Sequence, residues 1–427
     1  MRSWGPDGGD HFADAVGGAR FGLSGPAGVP VIKRPVAAPG QEAVAPSLAT
    51  PVRALFTMPA ASRGVGMTCR SILAAGTAAG FRTDLHTTRN NGDPFSKGLA
   101  VRDALPGGLG RLPYSVLRPL ISDMRLHRRY LASLGEGEIA YLWPSVPLPI
   151  YESVARRGNP IVVEAVNTRM KHAKPLLDAA YDALGLAPGH GITETRITSQ
   201  EERYALATAV FTPSPATEEA LKGTCLEHRF IRASYGTWVR PDTPLRARRG
   251  PGQDVTFLYV GTGCVRKGTH LLLSLWRTMP PDMRLRLVGD IEPDLARLFH
   301  DVLDRPNVSR APFTTDVRGE YDRADVFVLP SLEEGDSIVT YEAAASALPI
   351  LASPMGAGRI GAETGAVSPL DISDPAAIEA ALAGFARDED LRRFWGARAR
   401  AAVQDFDWAK VGARRFVALH GFFAFRS

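Results

Sequence analysis

Residues 324–343 read Ala-Asp-Val-Phe-Val-Leu-Pro-Ser-Leu-Glu-Glu-Gly-Asp-Ser-Ile-Val-Thr-Tyr-Glu-Ala, and this stretch decides the fold of the chain. Its apolar first part predicts a buried strand, and its last part predicts a helix after a turn. Two carboxylates, Glu334 and Glu342, follow the strand with seven residues between them. Inside a single helix they would lie about 12 Å apart along the axis, too far apart to share a small ligand.

The residues between the two carboxylates place them differently. Asp336 and Ser337 are good N-cap residues and predict that the helix begins there. Glu334 then lies in the loop, and Glu342 lies one or two turns into the helix. Two acceptor groups and a helix N-terminus can converge on one polyhydroxylated, anionic molecule. The stretch therefore predicts a ligand site at the end of a buried strand.

The rest of the chain alternates strands and helices in two series. The first series has predicted strands at 52–58, 139–143, 161–166 and 209–213, a tight glycine loop at 64–66 and a helix at 69–79. The second series has predicted strands at 255–260, 285–288, 326–329 and 350–352 and a helix at 269–277. Such alternation is typical of parallel, doubly wound sheets. The predicted fold class is α/β, with two Rossmann-like domains that face across a ligand-binding cleft.

Composition sets the predicted domain boundaries. Residues 1–50 are rich in Gly, Pro and Ala and predict a flexible extension or a misassigned start. The predicted first domain covers 51–240, a Pro, Arg and Gly-rich linker covers 241–254, and the second domain covers 255–407. Residues 408–427 predict a closing C-terminal helix, because apolar groups recur there at helical spacing.

Composition also excludes several classes of protein. The chain has 427 residues, of which 45% are hydrophobic and 22% charged, as in ordinary globular proteins. A net charge of +5 does not demand nucleic acid, which is not an expected partner. Cys69, Cys225 and Cys264 lack metal-site spacing and indicate a reducing cytoplasm rather than disulfides or zinc. No apolar run is long enough to span a bilayer, and the N-terminus lacks the apolar core of a secretory signal.

A glycine-rich turn follows the first predicted strand of the second domain. It reads Gly-Thr-Gly-Cys-Val-Arg-Lys-Gly at residues 261–268. The backbone amides of such a turn, together with Arg266 and Lys267, can bind phosphate oxygens. Lysine is rare in this chain, at seven of 50 basic residues, so Lys267 is notable. The alternative interpretation is an ordinary solvated surface turn.

Together these segments resemble the retaining, nucleotide-sugar-dependent glycosyltransferases of the GT-B fold, in glycosyltransferase family 4, which includes bacterial mannosyltransferases and sucrose synthases. The motifs that carry the resemblance are Val-Gly at 260–261, Lys-Gly at 267–268, Leu-Val-Gly-Asp at 287–290 and the E-x7-E turn at 334–342. The resemblance covers residues 255–410 well and residues 52–240 more loosely.

The resemblance implies roles for the charged residues of the second domain. Lys267, helped by Arg266, would hold the donor diphosphate. Glu342 would accept hydrogen bonds from the nucleotide ribose, and Glu334 would meet the transferred sugar. These roles suit the chemistry, because breaking the anomeric bond builds negative charge on the diphosphate and positive charge on the sugar.

The start of the predicted helix adds neutral donors to this site, and a cofactor is not expected. The donors would be the backbone amides of Gly335, Asp336 and Ser337. Relatives of this type need no divalent metal, since protein cations neutralise the diphosphate. We therefore expect no metal and no cofactor besides the nucleotide-sugar co-substrate.

Two departures from the family pattern lie in the second domain. Thr262 stands where many relatives have Arg. One branch of the family carries Arg-Lys-Gly instead, and Arg266 has the place of that Arg in this chain. Asp336 and Ser337 stand in place of Phe-Gly, and Asp336 brings a negative charge towards an anionic donor. The same branch shares Val-Thr-Tyr-Glu at 339–342. Such relatives build exopolysaccharide, capsule or cell-wall glycans.

The first domain offers several candidate residues. Gly64 and Gly66 lie where relatives have a glycine loop near the sugar phosphates, with a plain turn as the alternative. Asn167 takes the place of a catalytic-site histidine that follows a central strand in many relatives. His172 lies five residues further on and is the other candidate for that role, unless it is structural or solvated. Glu164 and Asn167 are also candidate contacts for the acceptor.

A basic run in the first domain has two interpretations. It combines basic and apolar residues, namely Leu117, Arg118, Leu120, Ile121, Arg125, Leu126, His127, Arg128 and Arg129. One interpretation is an amphipathic helix in peripheral contact with anionic lipid on the inner face of the plasma membrane. The other, which we favour, is a solvated helix face packed on its own domain.

The sequence thus predicts a cytoplasmic, retaining glycosyltransferase. Its donor would be a nucleoside-diphosphate sugar, and its acceptor a hydroxyl of a glycan or a lipid-linked glycan. The main alternative is a non-catalytic glycosyltransferase-like subunit that binds a nucleotide or a partner enzyme. A second alternative is a sugar-nucleotide epimerase with the same architecture.

Overall fold

The computed structural model describes residues 50–58, 64–89, 98–104, 123–245 and 252–424. Within these ranges the chain forms two α/β domains, each built on one parallel sheet. The predicted α/β class with two parallel-sheet domains is confirmed. Residues 1–49 of the predicted extension, 246–251 of the predicted linker and 425–427 lie outside the described residues, as do 117–121 of the basic run.

The first domain contains seven described strands. They are β1 (Val52–Phe56), β2 (Thr83–Thr87), β3 (Ala100–Asp103), β4 (Ile139–Leu142), β5 (Ile161–Glu164), β6 (Ala209–Thr212) and β7 (Phe230–Arg232). Their order in the sheet is β3-β2-β1-β4-β5-β6-β7, and neighbouring strands are parallel. The described helices are α1 (Gly64–Ala78), α2 (Asp123–Ser133), α3 (Leu148–Arg156), α4 (Met170–Asp182), α5 (Glu194–Leu206) and α6 (Pro215–Glu219).

The second domain contains six described strands. They are β8 (Val255–Val260), β9 (Met283–Val288), β10 (Val308–Ala311), β11 (Val326–Leu329), β12 (Ile350–Ala352) and β13 (Ser368–Pro369). Their order is β10-β9-β8-β11-β12-β13, again parallel. The described helices are α7 (Thr269–Leu275), α8 (Pro293–Leu298), α9 (His300–Leu303), α10 (Val317–Arg323), α11 (Ile338–Ala345), α12 (Pro354–Thr364), α13 (Pro375–Arg387), α14 (Glu389–Ala402) and α15 (Trp408–Ala424).

Burial of the central strands explains their apolar sequences. Every residue of β4, β5, β6 and β11 is buried. Parallel strands that are covered on both faces have continuous apolar runs, which makes them readable from sequence. The strands predicted at 255–260, 326–329 and 350–352 have the same bounds in the structure.

The structure corrects the predicted loop at 64–66. Helix α1 begins at Gly64, and Gly66 is buried in its first turn. The small residues of α1 are needed because α15 lies against it. A Cβ added at Gly76 would overlap the ring of Phe416, and one at Gly412 would overlap Ala75. Glycines at these positions allow the two helices to pack closely, so glycine in this part of the sequence does not by itself indicate a loop.

Helix α15 carries the end of the chain back to the first domain. Arg415 of this helix is buried and forms an ion pair with Glu164 of β5 at 2.5 Å. The same guanidinium donates to the backbone carbonyls of Ala233 and Ser234 at 3.0 and 2.9 Å. The C-terminal helix is therefore held to the core of the first domain by a buried charge pair.

The chain crosses between the domains at two adjacent places. The amide of Thr237 donates to the carbonyl of Phe406, and the amide of Trp408 donates to the carbonyl of Thr237, both at 3.0 Å. Thr237 and Asp407 thus form a parallel bridge. Because the two crossing segments are hydrogen-bonded to each other, they form a single paired connection between the domains. No helix within the described ranges is both long and apolar enough to cross a membrane.

Candidate active site

The glycine-rich turn after β8 carries two cations, Arg266 and Lys267, at the edge of the second domain that borders the cleft. Residues Val265–Lys267 form a short 3-10 helix that ends at Gly268, whose φ is +70°. A Cβ at Gly268 would overlap the carbonyl oxygen of Pro330, at the end of β11. Glycine is required at this position for both reasons. This close approach brings Arg266 and Lys267 to the loop that follows β11.

The loop after β11 separates the two carboxylates as the sequence predicts. Helix α11 begins at Ile338 with Ser337 as its N-cap residue. Glu334 therefore lies in the loop, and Glu342 is the fifth residue of the helix. The hydroxyl of Ser337 makes no capping bond and has no hydrogen-bond partner among the described residues. The predicted helix start is confirmed, but not the predicted side-chain cap.

Glu334 lies between the two cations of the glycine-rich turn. Its carboxylate is 2.5 Å from Nζ of Lys267 and 3.1 Å from the guanidinium of Arg266. Burial alone would raise the pKa of Glu334, but the charges of Lys267 and Arg266 outweigh it and lower the pKa to about 2. The same attraction raises the pKa of Arg266. The structure thus joins three of the predicted site residues in one ionised cluster.

Glu342 lies in a different environment. Its carboxylate accepts a hydrogen bond from the hydroxyl of Tyr321 at 2.9 Å. Burial raises the pKa of Glu342 to about 7, and the bond from Tyr321 offsets this only in part. No bond within the described ranges joins Glu342 to Lys267 or Arg266. The two carboxylates of the turn therefore titrate in different pH ranges: Glu334 is ionised at neutral pH, while Glu342 keeps its proton to a higher pH than a solvated glutamate.

The structure corrects the expected role of Asp336. One of its oxygens accepts from the amide of Tyr235 at 2.8 Å and the hydroxyl of Tyr341 at 2.7 Å, and the other accepts from the amide of Arg359 at 3.0 Å. Burial raises the pKa of Asp336 to about 6, although these donors partly offset it. Both oxygens are engaged, so this charge holds the chain near the interdomain crossing instead of facing a donor.

Glu333 joins the two domains, and sequence reasoning missed it. One of its oxygens accepts from the amide and the hydroxyl of Thr168 at 2.9 and 2.7 Å. The other accepts from the side-chain amide of Asn167 at 3.0 Å. A Cβ added at Gly335 would overlap the carbonyl oxygen of Val166. Two features of the sequence could have indicated this contact: a second acidic residue next to Glu334, and the polar pair Asn-Thr after β5.

A second interdomain contact lies further from the cluster. The buried guanidinium of Arg359, in α12, donates to the carbonyls of Thr212 and Pro213, each at 3.0 Å. It also pairs with Glu218 of α6 at 2.5 Å. Arg359 therefore bonds the two domains at a place separate from the contact of Glu333.

The other predicted residues of the first domain lie outside the charged cluster. His172 is exposed on α4, and Gly64 and Gly66 form the first turn of α1. Asn167 reaches the cluster only through Glu333. Glu164 is fully buried, and one of its oxygens is bonded to Arg415 and Tyr141. No group of three or more metal-ligating side chains occurs in the described part of the chain.

Residues 254–388 match the family model described as Glycosyl transferases group 1. The mannosyltransferase "MMP alpha-(1->4)-mannosyltransferase" of Mycolicibacterium hassiacum is 32% identical over 156 residues, which are 34% of this chain and 38% of that protein. The D-inositol 3-phosphate glycosyltransferase of Xylanimonas cellulosilytica is 29% identical over 183 residues, 40% of this chain and 43% of that protein. The chain thus matches only about two fifths of the length of these curated relatives.

Solved glycosyltransferase structures share the whole two-domain arrangement. Sucrose-phosphate synthase from Thermosynechococcus elongatus aligns with a TM-score of 0.65 at 19% identity, covering 88% of this chain and 100% of that one. Anabaena HepE, solved in complex with UDP and glucose, aligns with a TM-score of 0.61 at 16% identity, covering 87% and 100%. The resemblance drawn from sequence is confirmed: the chain has the GT-B fold, and residues 254–388 of its second domain match the model of the glycosyl transferases group 1.

Proposed function

We propose that this protein is a glycosyltransferase that moves a sugar from a nucleoside-diphosphate sugar to a hydroxyl group of a glycan or glycolipid. The observation that carries the proposal is the cluster in which Lys267 and Arg266 both contact Glu334 at the interdomain cleft. The names of the matched relatives support the reaction class. The complex of HepE with UDP and glucose supports the donor class.

The cluster is suited to the charges that develop during sugar transfer. Breaking the anomeric bond leaves negative charge on the diphosphate and positive charge on the sugar. In our proposal the diphosphate, which carries more charge than one carboxylate, takes Lys267 and Arg266 as partners. Glu334 is then released to face the sugar. Before the donor binds, the charges of Lys267 and Arg266 hold the pKa of Glu334 at about 2, so the carboxylate is ionised when it is released.

Glu342 would bind the ribose of the donor. It lies in the second turn of α11, on the element that follows the loop of Glu334. A ribose hydroxyl that donates to Glu342 would favour the ionised carboxylate and lower its pKa from about 7. Donor binding would therefore release a proton from this residue near neutral pH.

We further propose that transfer retains the anomeric configuration and requires no metal. Glu334 and Glu342 lie in different environments and do not form the paired acids of a glycosidase, so the leaving phosphate itself would take the acceptor proton. Lys267 and Arg266 would supply the positive charge that a divalent ion gives in other enzymes. Exopolysaccharide, capsule or cell-wall synthesis in the cytoplasm, at the inner face of the plasma membrane, is the proposed setting.

The test is to incubate the purified chain with a panel of nucleotide sugars, beginning with UDP-glucose, and to follow the products by NMR. We expect slow release of the nucleoside diphosphate and, initially, the free sugar in the anomeric form of the donor. EDTA should leave the rate unchanged. A pure binding subunit would release no diphosphate, and an epimerase would change the sugar without releasing it. The opposite anomer would contradict retention.

A further inference from the structure

Helix α12 is interrupted at Gly358, where it passes the loop that carries Glu334. The φ of Gly358 is +59° and its ψ is −162°, so the helix is kinked at this residue. A Cβ at Gly358 would also overlap Oδ1 of Asp336. Glycine is required here by the left-handed φ and by the close approach. At the kink, the backbone amide of Arg359 donates to Oδ1 of Asp336 at 3.0 Å.

The first part of α12 is bonded to the loop of Glu334 at two places. The hydroxyl of Ser353, the N-cap residue of α12, donates to the carbonyl of Ser331 at 2.6 Å. The second bond is the one from the amide of Arg359 to Asp336. Ser331 and Asp336 lie on either side of Glu334 in the chain, and both are buried. The start of α12 therefore fixes both ends of the short segment that carries Glu334.

The side chain of Arg359 binds the other domain. Its guanidinium donates to the carbonyls of Pro213 and Thr212, each at 3.0 Å, and pairs with Glu218 at 2.5 Å. We call these three interactions the Arg359 clasp. The remaining nitrogen of the guanidinium donates to Glu363 of α12 itself at 2.8 Å. Arg359 thus joins the first domain through its side chain and the loop of Glu334 through its backbone.

The clasp can exist only while the domains are in contact. If the first domain moved away, the guanidinium would lose one carboxylate and two carbonyl acceptors and would keep Glu363. A buried charge that loses its partners is strongly unfavourable, so the side chain of Arg359 would have to move towards solvent. Because the amide of the same residue is bonded to Asp336, this movement would also displace the segment of Glu334.

We infer that Arg359 is a positioning residue, whose clasp holds the segment of Glu334 in place for sugar transfer when the two domains are in contact. The inference rests on the proposed function and deepens it, because Glu334 would face the sugar in the correct position only while the clasp is made. Arg359 acts through Asp336 and does not itself contact the donor.

Three single variants test the clasp. Glu218→Gln removes its charge on the first-domain side and keeps the shape of the side chain. Glu363→Gln is the matched control, since it makes the same change at the partner of the same guanidinium within the second domain. Arg232→Gln is a second control, because Glu218 also pairs with the exposed Arg232 at 3.0 Å.

We expect Glu218→Gln to lower the turnover number for the best donor of the nucleotide-sugar panel at least fivefold. The KM for that donor and the Kd for UDP, measured by calorimetry, should change less than twofold. Both controls should match the wild-type protein. A merely structural role would reduce the number of UDP molecules bound per chain, because fewer chains would be folded, and would leave the turnover of each folded chain unchanged.

Asp336→Asn tests the connection from the clasp to the loop. An amide cannot accept hydrogen bonds at both of its terminal atoms, so the bond from the amide of Arg359 or the bonds from Tyr235 and Tyr341 must be lost. We expect a loss of turnover similar to that of Glu218→Gln. Because both changes act through Arg359, the double variant should turn over the donor less than twofold more slowly than the slower single variant.

Hydrogen exchange separates this inference from the proposed function. Amides of residues 331–340 should exchange at least threefold faster in Glu218→Gln than in the wild-type protein and in Glu363→Gln. This result is expected whether or not a nucleotide sugar is turned over. A wild-type protein that releases no diphosphate from any donor would count against the proposed function alone.

Four results would overturn the inference. Glu218→Gln turns over the donor at the wild-type rate; or residues 331–340 exchange at the same rate in Glu218→Gln as in the wild-type protein; or Glu363→Gln lowers turnover as much as Glu218→Gln does; or the losses of Glu218→Gln and Asp336→Asn multiply in the double variant. The last result would show that the two carboxylates act independently.

Discussion

Glu333 of the second domain accepts two hydrogen bonds from Thr168 of the first, at 2.9 Å from its amide and 2.7 Å from its hydroxyl. The contact holds the segment after β5 against the loop that carries Glu334. The relative position of the two domains at the candidate site is thus set by the residue next to the carboxylate proposed to face the sugar.

Thr168→Val should loosen this contact, because it removes the hydroxyl donor and keeps the shape and the amide. Hydrogen bonds to charged groups contribute about 1.5–3 kcal/mol, so we expect a loss of that order in the free energy of unfolding. Donor turnover should fall about tenfold, with UDP affinity little changed. Chemical denaturation and steady-state kinetics measure both.

Thr195→Val, at an exposed position of α5, is the control for Thr168→Val and should behave like the wild-type protein. Hydrogen exchange of the segment after β5 gives an independent readout. Unchanged exchange and turnover in Thr168→Val would show that the Glu333 contact does not position the site.

Gly335→Ala should disturb the same interface by a different route. Its methyl group would overlap the carbonyl oxygen of Val166, so the two domains must separate locally to admit it. We expect a destabilisation of about 1–3 kcal/mol, as for other overpacked sites, and a fall in donor turnover. Gly384→Ala is the control, since a Cβ at Gly384 meets no atom within 4 Å. Equal stability of the two variants would contradict the observed close approach.

Glu342→Gln should change how stability depends on pH. The pKa of Glu342 is about 7 in the folded protein and 4.5 in a solvated chain. Between these values the folded state binds the proton more tightly, so the stability contributed by Glu342 is present below pH 4.5 and is lost as the pH rises to about 7. Glutamine carries no charge and does not incur this loss.

The Glu342→Gln variant should therefore unfold with a free energy about 2 kcal/mol above the wild type at pH 8, and the difference should vanish near pH 4. This figure is below the full value of the pKa shift, because Glu342 is only partly buried and solvent screens its charge. Urea denaturation at a series of pH values measures it. A difference that stays constant with pH would contradict the raised pKa of Glu342.

The central strands were predictable because burial on both faces gives them continuous apolar sequences. Strands β8, β11 and β12 have their predicted bounds. Four of the five strands missing from the prediction, β3, β7, β10 and β13, are edge strands of the two sheets. Edge strands are short and partly exposed, so their sequences carry a weaker apolar pattern. The start of α1 was missed because its first turn contains Gly64 and Gly66, and glycine is typical of loops.

The site was predictable where charge type and spacing decide it. Lys267, Arg266 and Glu334 come together because the turn after β8 and the loop after β11 follow neighbouring strands. Asp336 and Glu333 could not be assigned, because their partners, Tyr235 and Thr168, lie 101 and 165 residues away in the chain. Only the packing of the two domains brings these groups together.

The most direct test of the account is the turnover of the best donor of the nucleotide-sugar panel by Lys267→Ala. Lys410→Ala, at an exposed position of α15, is the control, and circular dichroism checks that both variants are folded. The account predicts that Lys267→Ala lowers diphosphate release at least 100-fold and weakens UDP binding at least tenfold, while Lys410→Ala matches the wild type. Full turnover by folded Lys267→Ala would contradict the proposal that this lysine holds the leaving diphosphate.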